Sequence, residues 1–127
     1  MLYEDMTRKI IEACFEVSNE LGIGFFEEVY EKSLIIALRE KGLYAERQVE
    51  INVKFRGETV GTFFADVIVE GKVILELKAV SALANAHKAQ LLNYLKASGN
   101  EVGLLINFGT TKIEYQRYEN RFLNTQR

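Results

Sequence analysis

The sequence predicts a mixed α+β fold, in which helices pack on a sheet that contains antiparallel and parallel strands. Three strand-like segments joined by short turns with a central glycine form an antiparallel meander. An Ala/Leu-rich helical segment then separates this meander from a further strand, and a crossover helix of this kind makes its flanking strands parallel. The 127 residues, 48% hydrophobic and 27% charged, fit a single domain over residues 1–127.

Two helices are predicted before the strands. The first covers about Glu4–Leu21, where apolar residues recur with the spacing of one helical face, and Gly22 ends it. The second covers about Phe26–Lys41 and ends at Gly42. Cys14 lies on the apolar face of the first helix and is predicted to be a small buried hydrophobe, because no His or Asn is placed to activate it.

The inward face of the second helix is predicted from four apolar or aromatic residues: Tyr30, Leu34, Ala37 and Leu38. One step back by three residues, the same face reaches Glu27, a carboxylate in the first helical turn. A negative charge is favoured there by the helix dipole alone, which is the simpler explanation of Glu27.

The remaining elements follow in order along the chain. The predicted segments are strands at Val49–Phe55, Thr59–Val69 and Val73–Val80, a helix at Asn85–Ser98 ended by Gly99, and strands at Glu101–Gly109 and Lys112–Glu119.

Charge and composition exclude several classes of protein. The net charge of −2 argues against binding of nucleic acid by bulk electrostatics, although a local basic groove is compatible with it. One cysteine forms no internal disulfide and no signal-peptide pattern opens the chain, so we expect a reducing, cytoplasmic setting. No apolar run approaches the roughly 20 residues that span a bilayer, and we expect no membrane contact.

A charged pair lies on the third strand, where Glu76 and Lys78 share one face. Solvation of a wet face would explain the pair. A three-residue turn centred on Gly71, however, places Asp66 of the preceding strand directly opposite Glu76, with Cβ atoms about 4.5–5.5 Å apart. A two-residue turn would send Asp66 to the other face.

Two carboxylates this close repel each other unless a cation lies between them. Mg²⁺ takes oxygen ligands and is commonly held by one or two carboxylates together with a substrate phosphate. Lys78 could then stabilise the charge that builds on the phosphate or hold the attacking water. The three residues therefore favour phosphodiester hydrolysis.

These residues resemble the motif of the PD-(D/E)XK nuclease superfamily, with Ala65 in place of the proline that names it. Three further segments strengthen the resemblance. "GFFEEVY" (Gly24–Tyr30) has the pattern of the GxxExxY protein family, "HKAQLLNYL" (His87–Leu95) resembles the Gln-x-x-x-Tyr helix of RecB-like nucleases, and "VGLLINFG" (Val102–Gly109) resembles the family's closing strand. The fold implied is a restriction-endonuclease-like αβββαβ core with an extra N-terminal helix.

The resemblance implies roles for individual residues. Asp66 and Glu76 would be metal ligands for Mg²⁺ or Mn²⁺, with the Leu77 carbonyl as an additional ligand and Lys78 as the catalytic cation. Glu27 would be the helix-borne acid that joins the metal site directly or through water. Gln90 would lie near the metal and the attacking water.

Three further residues are candidates for substrate binding: His87, Tyr94 and Tyr30. His87, Gln90 and Tyr94 share a helical face by their spacing. For Tyr94 the alternative is a core aromatic with a locally bonded hydroxyl, and for His87 a satisfied histidine on a helix face.

The leading hypothesis is a metal-dependent nuclease that acts on DNA in preference to RNA. The alternative is a nuclease-like domain that binds nucleic acid or a protein partner without cutting. A homodimer is a further expectation by analogy, since many superfamily members use two sites on a duplex. Six basic residues could flank a substrate groove, although the sequence does not place them: Lys54, Arg56, Lys88, Lys96, Arg117 and Arg121.

Overall fold

The computed structural model describes residues 3–121. It contains three helices and five strands over this range: α1 (Glu4–Leu21), α2 (Glu27–Glu40), β1 (Ala45–Phe55), β2 (Glu58–Val69), β3 (Val73–Lys78), α3 (Asn85–Ser98), β4 (Val102–Asn107) and β5 (Glu114–Glu119). The predicted order of elements is confirmed, and the bounds of α1 and α3 agree with the predicted ones.

The five strands form one mixed sheet in the order β1-β2-β3-β4-β5. Neighbouring strands are antiparallel except β3 and β4, which are parallel and joined by α3. The predicted meander followed by a crossover helix is therefore confirmed. β3 and β4 lie at the centre of the sheet, and nearly every residue in them is buried.

Helices cover both faces of the sheet. One face packs against α1 and α2 through the alternate residues Val73, Leu75 and Leu77 of β3. The other face packs against α3 through Ile74. Glu76 alternates with Ile74 and so lies on the α3 face, which is buried there and not a wet surface.

The β1–β2 hairpin changes faces along its length. Val67 and Val69 pack with α1 and α2, whereas Ile51 and Ala65 pack with α3. The change falls where Gln48 has a φ of 51°, outside the strand region, and is left out of the ladder with β2. The outer part of the hairpin, residues 49–65, is called the β-arm below and leans towards α3.

Every strand differs from the prediction at one end or both, by one to four residues. β1 begins four residues earlier, at Ala45, because that residue is buried in the core beside α2. β3 ends at Lys78 instead of Val80, because the Asn107 side chain bonds both the N–H and the carbonyl of Val80, at 3.0 and 2.9 Å. The backbone of Val80 then passes so close to Gly109 that a Cβ there would lie 2.3 Å from it, which only glycine avoids.

Cys14 is fully buried on α1, as predicted, and burial raises the pKa of its thiol. Over residues 3–121, no helix has both the length and the apolar character that a membrane crossing requires.

Candidate active site

The candidate site lies where strands β2 and β3 separate. The backbone ladder between them ends at the pair Val67–Leu75, in the register predicted for a three-residue turn at Gly71. The next pair in this register is Asp66 opposite Glu76. The predicted register is therefore confirmed, and it places the two carboxylates at the fork.

Side chains replace the backbone ladder at this fork. The Leu77 N–H donates to Asp66 Oδ2 at 2.8 Å, and the Asp66 N–H donates to Glu76 Oε1 at 3.3 Å. The Asp66 carboxylate thus occupies the place that a carbonyl of β2 would take in a continuous ladder. Because the N–H and C=O of a strand residue point the same way, the Leu77 carbonyl faces the same gap.

Asp66 and Glu76 differ in burial, and the charged form is less favourable for Glu76. Glu76 is only 2% exposed, whereas Asp66 is half-buried. Burial, followed by the charge of Asp66, raises the pKa of Glu76 to about 9, and Lys78 offsets this only in part. Without a cation, the pair therefore keeps a proton at neutral pH.

Lys78 is connected to α3 through side-chain hydrogen bonds. Its Nζ donates to Gln90 Oε1 at 3.3 Å, and Gln90 Nε2 donates to the Tyr94 hydroxyl at 3.1 Å. Gln90 and Tyr94 thus share the helical face predicted from their spacing. Tyr94 is nearly buried, and burial together with the charge of Glu76 raises the pKa of its hydroxyl. The hydrogen bond from Gln90 to the Tyr94 hydroxyl agrees with the interpretation of Tyr94 as a core aromatic whose hydroxyl is bonded locally. Tyr94 also lies beside the carboxylates, and its contact with substrate stays a prediction.

His87 caps the start of α3. Its ring Nδ1 accepts a hydrogen bond from the backbone N–H of Ala84 at 3.1 Å, while the backbone N–H of His87 donates to the Ala84 carbonyl at 3.0 Å. These bonds satisfy backbone groups at the helix end. Nε2 is the nitrogen that remains for the predicted contact with a substrate phosphate.

Glu27 does not take the inward position that helical spacing predicted. It begins α2 as an exposed side chain, because residues 22–29 all lie at the surface before the helix enters the core at Tyr30. Glu27 does line a shallow cavity of about 400 Å³ together with Ala79, the residue after Lys78. It is thus near the end of β3, and its role as a metal ligand stays a prediction.

Tyr30 is fully buried, which differs from the open position that substrate binding requires. Its hydroxyl donates to the Gly22 carbonyl at 2.7 Å and accepts the Phe25 N–H at 3.3 Å. Its ring stacks on Phe108, with ring centroids 4.8 Å apart. These contacts hold the loop between α1 and α2 in front of α2.

Sequence reasoning missed Glu31, the buried carboxylate of α2. It is 4% exposed and accepts from Arg47 Nε and Gln48 Nε2, each at 3.0 Å. Burial raises its pKa, and the charge of Asp66 acts in the same direction. Leu34 and Ile35 follow at i+3 and i+4, so the spacing that defined the inward face could have identified Glu31.

The residues at the fork fit a hard divalent cation. Two carboxylates and one carbonyl are oxygen donors, and Mg²⁺ completes such a partial set with water. A cation would also balance the charges that otherwise keep Glu76 protonated. Among the residues described, no three His, Cys, Asp or Glu side chains are arranged to hold a metal ion, and the oxygen donors at the fork are the carboxylates of Asp66 and Glu76 and the Leu77 carbonyl.

The fold and the fork define a class of protein: a mixed sheet between helical layers, with a carboxylate pair and a lysine at the point where two strands separate. The model of the PD-(D/E)XK nuclease superfamily matches residues 4–118 of this chain. The chain therefore belongs to the PD-(D/E)XK nuclease superfamily, whose members generally use divalent metal ions.

Two solved structures are similar in fold. The crystal structure of SSO0001 has a TM-score of 0.57 and 22% identity over 93% of this chain, which spans 59% of SSO0001. An alkaline exonuclease (LHK-Exo) from Laribacter hongkongensis has a TM-score of 0.53 and 11% identity over 99% of this chain and 75% of its own. At these identities the likeness shows the fold alone. No curated protein gives a significant match.

Proposed function

We propose that the protein is a metal-dependent nuclease that hydrolyses phosphodiester bonds, in DNA in preference to RNA. The observation that carries the proposal is the pair formed by half-buried Asp66 and buried Glu76, beside Lys78, at the point where β2 and β3 separate. A pair of acids whose charge is unfavourable without a cation has a chemical reason to exist where a cation is used. Superfamily membership supports the same conclusion.

The fork would hold one ion of Mg²⁺ or Mn²⁺ through Asp66, Glu76 and the Leu77 carbonyl. When bound, the ion would lower the pKa of a coordinated water and offset charge on the scissile phosphate. Glu27, at the surface beside Ala79, would contribute through a water molecule.

The chain's own residues would position and stabilise the reacting phosphate. Lys78 keeps two further N–H donors after its bond to Gln90, and they would bind phosphate oxygens as negative charge develops. Gln90 fixes the ammonium group through Oε1. Because the Tyr94 hydroxyl accepts from Gln90, its own proton would be donated to a phosphate oxygen or a water.

Cleavage of labelled single- and double-stranded DNA and RNA, each with Mg²⁺ and with Mn²⁺, tests the proposal. We expect product from the wild type and a loss of at least about 100-fold in rate for Lys78→Ala, the scale typical of a lost charge-stabilising group. Lys72→Ala removes an exposed lysine from the turn before the same strand and is the matched control. No product above the Lys78→Ala level on any substrate would contradict the proposal.

A non-cleaving binding domain is the alternative, favoured by the exposed position of Glu27 and by the lack of a third acidic ligand among residues 3–121. Titration calorimetry separates the two. A nuclease requires Mg²⁺ or Mn²⁺ binding that depends on Asp66 and Glu76, whereas the alternative does not. The homodimer and the cytoplasmic setting, the latter inferred from the single Cys14, are parts of the same proposal, and sedimentation of the protein with and without a DNA duplex tests the dimer.

A further inference from the structure

A groove lies between the β-arm and α3, on the sheet face that carries Glu76. Its volume is about 930 Å³, and its walls include Asn52, Lys54 and Phe63 from the β-arm and Gln90, Asn93 and Lys96 from α3. The groove exists because the β-arm changes faces at Gln48 and leans over the helix. Nothing in the roles given to Asp66, Glu76 and Lys78 uses it.

The groove carries positive charge in a chain whose net charge is negative. Its eleven lining residues include two lysines and three side-chain amides, and none of them is a carboxylate. Lysine binds phosphate as a point charge, and amides serve both phosphates and base edges. The walls are therefore complementary to a polyanion with hydrogen-bonding bases.

The groove adjoins the candidate active site. Gln90 and Tyr94 line it and also form the hydrogen-bonded chain to Lys78. A strand bound in the groove would thus contact Gln90, the residue that bonds Lys78. One molecule would then occupy both the groove and the fork.

An exposed ring in the groove points to unpaired bases. Phe63 is 45% exposed and lies 5.7 Å from Tyr94 with the ring planes tilted by 41°, so the two rings do not stack on each other. A base within a duplex is already stacked on both faces, whereas an unpaired base can stack on Phe63. Stacking of this kind contributes about 1–3 kcal/mol per base.

We propose that this groove binds a segment of single-stranded nucleic acid, with a base against Phe63 and phosphates at Lys54 and Lys96, and delivers it to Lys78. The proposal rests on the proposed nuclease function and names its substrate form.

Binding is tested without cleavage, by fluorescence anisotropy of a labelled 20-nucleotide thymidine strand and of a duplex in EDTA. We expect Phe63→Ala to weaken binding of the strand by roughly 5- to 150-fold, the equivalent of one lost stack. Phe64→Ala is the matched control, because Phe64 is the adjacent residue, is 51% exposed and does not line the groove. Phe63→Leu keeps apolar packing without an aromatic face and should resemble Phe63→Ala, which separates stacking from folding.

The salt dependence of binding tests the phosphate contacts. Lys54→Gln should reduce the slope of log Kd against log salt by about 0.7, the value for one phosphate contact on a single strand. Lys112→Gln, at an exposed lysine outside the groove, should leave the slope unchanged.

Equal effects of Phe63→Ala and Phe64→Ala, or tighter binding of the duplex than of the strand, would overturn the groove proposal. If metal-dependent cleavage of the duplex is nevertheless seen, the nuclease proposal stands alone. If strand binding depends on Phe63 and no substrate is cut, the groove proposal stands and the nuclease proposal fails.

Discussion

At the scale of single residues, Glu76 is held where its charged form is unfavourable. It accepts one backbone N–H, at 3.3 Å, while Asp66 lies beside it. Burial of a carboxylate next to another costs stability unless a cation or a proton compensates. In the metal-free protein, a proton bound to Glu76 supplies this compensation.

Glu76→Gln should therefore stabilise the metal-free protein in a pH-dependent way. The folded-state pKa of about 9 lies above the ordinary value of 4.5, so the folded protein holds a proton that the unfolded chain has lost between these values. The stability that the wild type has with Glu76 protonated is fully present below pH 4.5 and is lost as the pH rises through 9. Glutamine does not titrate, so the variant keeps its stability over that range.

Thermal unfolding in EDTA from pH 4 to pH 9 measures the difference. We expect the wild type and Glu76→Gln to have similar Tm values near pH 4, and the Tm of the variant to exceed that of the wild type increasingly as the pH rises. A difference of about 1 kcal/mol in the free energy of unfolding at pH 8 would correspond to about 4 °C in Tm. An advantage that shrinks as the pH rises would show that Glu76 is charged in the metal-free fold.

Glu31 is a second buried carboxylate, but its charge is compensated within the chain. Arg47 and Gln48 both bond its Oε1 atom. Glu31→Ala should cost about 1–3 kcal/mol in the free energy of unfolding, because it leaves a partly buried guanidinium and an amide without this partner. Glu28→Ala, at an exposed glutamate that pairs with Lys32, should cost at most about 0.5 kcal/mol.

Urea denaturation of both variants tests this assignment. Equal losses of stability at the two positions would contradict it. Gln48 lies beside Asp66 at the point where the hairpin changes faces, so a loss of metal affinity in Glu31→Ala, beyond its loss of stability, would also link Glu31 to the geometry of the fork.

At the scale of elements, the entry to α2 depends on one hydroxyl group. Tyr30 links the carbonyl of Gly22 to the N–H of Phe25 across the loop between α1 and α2. This loop places Glu27 beside Ala79, near the end of β3. Loop and site are therefore connected through a residue that the substrate does not reach directly.

Tyr30→Phe keeps the ring stacked on Phe108 and removes only the hydroxyl. We expect a loss of about 1 kcal/mol in stability and faster hydrogen exchange at the Phe25 amide. Lower activity with unchanged exchange at Phe25 would instead favour the substrate contact predicted for Tyr30.

The strands show which structural features local sequence patterns can predict and which they cannot. Alternation and turn length predicted the β2–β3 register, because the side-chain period of two and the three-residue turn leave a single arrangement for Asp66 and Glu76. The change of face in the β1–β2 hairpin was not predictable in this way. It depends on Gln48 adopting a positive φ while its side chain bonds Glu31, a contact between distant parts of the chain.

At the scale of the whole molecule, the sequence predicted the layered fold and the members of the fork but not their surroundings. Periodicity and glycine positions predicted the order of elements, strand alternation identified Lys78, and the family resemblance implied the role of Gln90. The exposed position of Glu27 could not be read from spacing, because α2 begins outside the core. The groove also escaped prediction, since Lys54 and Lys96 come together only through the lean of the β-arm over α3.

Together, the two proposals assign two local sites for a polyanion to a slightly acidic protein. A groove without carboxylates leads to a fork whose carboxylates need a cation. In the proposed mechanism, the cation at the fork lets a phosphate approach two acids that would otherwise repel it. The proposed function thus depends on cation binding at the fork.

Anomalous diffraction from a crystal soaked in Mn²⁺ tests cation binding at the fork. We expect a peak between the carboxylates of Asp66 and Glu76, within coordination distance of the Leu77 carbonyl, that disappears in Asp66→Asn. Binding of Mn²⁺ only at other sites, at a concentration that supports cleavage in solution, would contradict the proposed metal site.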